Sequence, residues 1–109
     1  MVNQLIRLDP VFSALSHPAR RTIVSRLAQG SATVGEVARP LEMSPPAVTK
    51  HLKVLEGAGL IERHVEGREH HLSLMREPLH GAGSWIEHIE AFWERSFDSL
   101  AAHVEGGRP

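Results

Sequence analysis

Residues 43–74, MSPPAVTKHLKVLEGAGLIERHVEGREHHLSL, decide the fold. Ser44-Pro45-Pro46 is a helix start: a serine able to cap, then two prolines at positions whose N–H groups would lack an intrahelical partner anyway. At 100° per residue, Val48, Leu52 and Leu55 share one face of a helix running from about 45 to 57, while Pro46, Thr49, Lys50 and Lys53 gather on the opposite face. One side seeks a core, and the other is cationic and turned to solvent. Gly57 and Gly59 end the helix. LIERHV and REHHLSL, joined at a Glu66-Gly67 turn, then read as the two strands of a hairpin.

Upstream, Thr33-Val34-Gly35-Glu36 has the spacing of a capping box and opens a brief helix. Pro40 disfavours helical geometry at Arg39, so Leu41-Glu42-Met43 should form the turn into the next helix. Before that, Leu5, Leu8, Val11, Phe12 and Leu15 recur at helical spacing and stop ahead of His17-Pro18. Pro18 begins a second helix over about 18–29, with Ile23, Val24 and Leu27 as its inner face and Gly30 at its end.

Downstream, the pattern is helical from Pro78 to about Val104. Trp85, Ile86, Ile89, Phe92, Trp93, Phe97, Leu100 and Val104 form a stripe about 140° wide, against the ~100° an ordinary surface helix needs. Glu87, Glu90, Glu94 and Asp98 line the other side, which reads as a solvated face. A helix carrying both tryptophans and two of the three phenylalanines holds more apolar surface than so small a body can cover.

Helix, helix, short helix, turn, helix, hairpin and long helix is the order of a winged helix-turn-helix: mainly α with a small β-hairpin, the second helix of the motif entering a major groove of duplex DNA. A pair of lysines on an exposed helix is ordinarily a solubilising feature. Here it sits on a proline-started helix directly before an arginine-bearing hairpin, which favours DNA contact. Pro46, Ala47, Thr49 and Lys50 are the candidates for base edges, with Ala47 or a proline ring able to meet a thymine methyl, and Ser44 at the helix start belongs to the same DNA-binding set. Lys53, Arg63, Arg68 and Arg20 suit phosphates. His51, about 60° from the centreline of the buried face, reads first as core-edge packing and second as a phosphate contact.

The expected organisation is one domain over 1–105, with a DNA-binding core at 17–75, dimerisation helices at 5–15 and 78–104, and a flexible tail at 106–109. Leu5, Leu8, Phe12, Trp85, Ile89, Phe92, Trp93 and Phe97 are the expected dimer contacts. A chain of 109 residues without a cysteine gains stability most readily by sharing a core with a second copy.

The formal net charge is only −1. Its distribution matters more: residues 17–76 carry nine Arg/Lys against six Glu, and residues 77–109 carry two Arg against six acids. A basic body can hold DNA while an acidic helix stands apart. The absence of cysteine excludes disulfides, thiolate metal sites and thiol switches. No apolar run reaches the roughly 18 residues of a bilayer span, so a cytoplasmic location without membrane attachment is expected. No convergent nucleophile and base can be found, and the chain does not read as an enzyme.

The 43–74 stretch resembles the recognition helix and wing of the ArsR/SmtB superfamily, and LSHPARRTIVSRLAQG is similar to its opening helices. That resemblance implies a homodimeric repressor of a pseudo-palindromic operator, released by a small-molecule effector. Many such proteins sense metals through cysteines ahead of the recognition helix, but Glu36–Leu41 contains none. The superfamily's other site, an Asp-x-His pair followed by His-x-x-Glu on the last helix, has no match between Pro78 and Val104. No metal and no cofactor are therefore expected.

Two other readings compete: a winged helix serving as a protein-interaction module through its aromatic last helix, and a repressor responding to metal through histidines. The chain has eight histidines. His70 and His71 are adjacent in a strand and point to opposite faces, so they cannot chelate together. His64 could pair with one of them across the hairpin, but zinc would require further ligands.

Overall fold

The computed structural model describes the backbone of residues 2–106 and the side chains of residues 8–104. Five helices and three short strands follow in the order α1 (Val2–Ala14), α2 (Pro18–Ala28), β1 (Ala32–Thr33), α3 (Val34–Ala38), α4 (Pro45–Gly57), β2 (Ile61–Glu66), β3 (Glu69–Leu74) and α5 (Arg76–Gly106). This is a winged helix-turn-helix, and its element starts are set by local chemistry. His17 caps α2 by accepting from the Ala19 N–H at Nδ1. Thr33 and Glu36 close the capping box in both directions, each at 3.2 Å. The Thr33 N–H, and then the Thr33 hydroxyl donating to the same Oε1 at 3.0 Å, hold the Glu36 carboxyl below the usual glutamate range.

The α3–α4 connection departs from expectation. Arg39 is helical despite preceding Pro40, and residues 39–41 tighten into a 3-10 turn. The chain changes direction one residue later, at Glu42, whose φ of 51° lies in the left-handed region. The 3-10 geometry continues the helix through a proline that has no N–H to donate. The Glu42 backbone then takes up the reversal, at a cost of about 1–2 kcal/mol for a residue with a Cβ.

The core is a single cluster. Ile23 and Leu27 of α2, Val37 of α3, Val48, Leu52 and Leu55 of α4, and Leu60, Ile61 and Leu72 at the base of the wing are buried, with Val11 and Ala14 closing it from α1. The sheet has order β1-β3-β2 and is antiparallel throughout. The sequence reading did not include β1, which pairs Ala32 with Leu72 and Thr33 with His71. The two-residue hairpin turn is Gly67-Arg68 rather than Glu66-Gly67, with Gly67 at φ 61° where glycine is least costly.

Helix α5 starts at Arg76, two residues earlier than the periodicity indicates, and only its first third lies on the body, where Ala82 is buried. Phe12 of α1 meets Trp85 edge to face, ring centroids 5.7 Å apart. Beyond that contact α5 projects, and the radius of gyration is 19.5 Å. A compact chain of this length would have about 13 Å. Of the expected dimer contacts, Leu8 and Phe12 are half-buried against the core, and the side chain of Leu5 lies outside the described residues. Trp85, Ile89, Phe92, Trp93 and Phe97 are exposed on the single chain, Trp93 at 71%. In the expected tail, Gly106 is the last residue of α5, and 107–109 lie outside the described residues.

Candidate nucleic-acid interface

Ser44 sits in extended geometry, its hydroxyl accepting from the Ala47 N–H at 3.4 Å, and Pro45 and Pro46 occupy the first helical positions. With the helix start defined and Val48, Leu52 and Leu55 driven into the core, the rotation of α4 is settled. Ser44, Pro46, Thr49, Lys50 and Lys53 are exposed and Ala47 is half-covered. Pro45, Pro46, Thr49, Lys50, Lys53 and Val54 line a shallow depression along this face. Among the described residues neither lysine is engaged in an ion pair. The face offers two ammonium groups, a hydroxyl and apolar ring edges on a convex helix.

Four other candidates lie elsewhere. His51 is buried at 8% exposure and faces away from the lysines. Arg20 Nη1 donates to His51 Nδ1 at 3.0 Å, and the His17 ring lies against it with centroids 4.4 Å apart. Burial, followed by the neighbouring His17, Arg20 and Lys50, holds the His51 pKa below the usual histidine value. This places His51 at the core edge, the first of its two readings from the sequence, with its Nδ1 engaged by Arg20.

Arg20 is likewise occupied. Its Nε donates to the Ala14 carbonyl at 2.6 Å and its Nη2 to that of Ser13 at 3.3 Å, so the guanidinium closes the end of α1 instead of reaching outward. Arg63 is half-buried and paired with Glu56, Nη2 to Oε1 at 2.7 Å, with Nη1 also donating to His70 Nδ1 at 3.1 Å. Arg68, at the tip of the wing, is exposed and unpaired among the described residues. Sequence reasoning overlooked Glu56, because its importance comes from a strand residue seven positions away.

The histidines divide as the strand period requires. His70 joins Arg63 on one face of the wing; His64 and His71 are cross-strand partners on the other, beside Glu66 and Glu69. Among the described residues no group of three or more His, Asp or Glu is arranged to hold a metal ion. Among the described residues no helix is long and apolar enough to cross a membrane.

A family model described as a helix-turn-helix domain matches residues 15–64. The chain is 37% identical over 97 residues to the HTH-type transcriptional regulator Rv2034 of Mycobacterium tuberculosis, covering 89% of this chain and 88% of that protein. It is 33% identical over 79 residues to the transcriptional repressor SdpR of Bacillus subtilis, covering 72% of this chain and 88% of that one. A solved ArsR-like transcriptional regulator from Rhodococcus sp. RHA1 superposes with a TM-score of 0.75 at 30% identity, over 90% of this chain and 92% of that chain. The arrangement of a capped, outward-facing α4 beside a three-stranded wing and these likenesses agree: the chain belongs to the ArsR/SmtB family of winged helix-turn-helix transcriptional regulators.

Proposed function

We propose that the chain is a homodimeric repressor that binds a pseudo-palindromic stretch of duplex DNA in the cytoplasm and has no catalytic role. Each protomer inserts α4 into a major groove, the two grooves lying about 34 Å apart. The observation that carries this reading is the outward face of α4, where Pro46, Thr49, Lys50 and Lys53 stand exposed together while the helix's opposite face is buried. Thr49 and Lys50, close to the helix start, read base edges; Pro46 and Ala47 meet thymine methyl groups; Lys53 and Arg68 meet phosphates. Ser44 contributes by starting the helix. The apolar stripe of α5, with Trp93 and Phe97 exposed on the single chain, supports pairing with a second copy.

The test is selection of bound genomic fragments by the pure protein, followed by footprinting of those enriched. Two protected half-sites one helical turn apart are expected. Lack of enrichment over non-specific DNA would reject the reading.

A further inference from the structure

We infer that Glu56 and Arg63 form a strut setting the angle between α4 and the wing, so that Arg63 is a positioning residue for DNA binding and not itself a phosphate contact. The inference rests on the DNA-binding reading above. Between the two residues the chain passes through Gly57, Ala58 and Gly59, a connection with two glycines that leaves the direction of the wing weakly determined by backbone preference. Leu60 and Ile61 anchor the base of β2 in the core, and further out burial gives way to exposure along Ile61–Glu66.

The Arg63 guanidinium fills that role. It meets both carboxylate oxygens of Glu56, Nη2 to Oε1 at 2.7 Å and Nε to Oε2 at 3.5 Å, and its third nitrogen donates to His70 on β3 at 3.1 Å. One planar group thus touches the recognition helix and both strands of the hairpin. Strand register accounts for the reach: Arg63 lies opposite Leu72, which puts His70 on its diagonal on the same face. The side chains are 26% and 32% exposed, so water screens the pair less than it would on an open surface. A lone carboxylate at the edge of a DNA-binding face would repel phosphate. Paired, Glu56 and Arg63 carry no net charge and offer phosphate no attraction, and what they retain is geometry.

The charges give the test opposite signs. Glu56→Gln removes a negative charge beside the DNA, so a purely electrostatic role predicts tighter binding, whereas loss of the strut predicts weaker binding. Anisotropy titrations of a selected operator at several salt concentrations should show Glu56→Gln and Arg63→Gln each weakening binding about three- to fivefold, the scale of a partly screened ion pair. The slope of log K against log salt should stay at the parent value in both. Arg68→Ala, the control, should make it shallower by about one. Without DNA, amide hydrogen exchange across residues 61–74 should quicken in both Gln variants. Glu56→Gln binding as tightly as the parent or more so, or Arg63→Gln flattening the slope by about one, would overturn the inference. If Arg63→Gln fails to fold, Glu56→Gln decides alone. Should the parent bind no DNA at all, the functional reading fails, and unchanged wing exchange in Glu56→Gln would then sink the strut independently.

Discussion

His51 on the recognition helix accepts a hydrogen bond from Arg20 on α2, Nδ1 to Nη1 at 3.0 Å, while the same guanidinium donates to the last carbonyls of α1. Three helices therefore meet at one arginine. The acceptor must be an unprotonated nitrogen, so the link from Arg20 to α4 requires a neutral imidazole.

That requirement sets a pH dependence. Burial above all, then His17, Arg20 and Lys50, keeps the folded His51 pKa below the 6.5 of an unperturbed histidine. The unfolded chain takes up the proton first as pH falls, so the stability from a neutral His51 is fully present above about 6.5 and is lost as pH drops toward the folded pKa. Thermal melts between pH 7.5 and 5 should show a decline setting in near 6.5, and His51→Gln should flatten it. A parent melting temperature constant across that range would contradict the assignment.

Substitutions on the outward face of α4 should separate base readout from phosphate attraction. Lys50→Ala should cost about 1–3 kcal/mol at the operator and much less on random DNA. Lys53→Ala should weaken both alike and reduce the salt slope by about one. Competition titrations at two salt concentrations distinguish them.

Leu52 is 1% exposed at the centre of the core. Leu52→Ala should destabilise the fold by about 2–5 kcal/mol through lost burial and the cavity left behind, measured by urea unfolding. Thr49→Ala, one turn away on the exposed face, should change stability by no more than about 0.5 kcal/mol.

Trp93 is 71% exposed on the single chain. Trp93→Glu should shift sedimentation from dimer toward monomer with little change in far-ultraviolet circular dichroism, because the ring is largely exposed on the single chain and has little burial to lose there. A parent protein that sediments as a monomer at micromolar concentration would instead favour a different protein as the occupant of the α5 stripe.

The parts of this fold legible in the sequence are those governed by residues close together in the chain. Ser44-Pro45-Pro46 starts α4, Thr33 and Glu36 close their capping box, and helical periodicity assigns Val48, Leu52 and Leu55 to the core and Lys50 and Lys53 to the surface. The α3–α4 turn was misread because a rule for the residue before proline describes an isolated pair, while here a 3-10 turn carries the helix through Arg39.

Composition and periodicity alone determined the order of elements, the rotation of the recognition helix and the surplus apolar surface of α5, since each depends on neighbours within a turn or two. Tertiary structure decided which cations stay free. A long side chain can send its charged end several ångströms in many directions, and its partner is set by what folding brings near: His51 for Arg20, 31 positions along the chain, Glu56 for Arg63, and no carboxylate for Lys50 or Arg68 among the described residues. The two-residue β1 belongs with these, because its pairing with β3 spans some forty residues and leaves no periodic signal in so short a stretch.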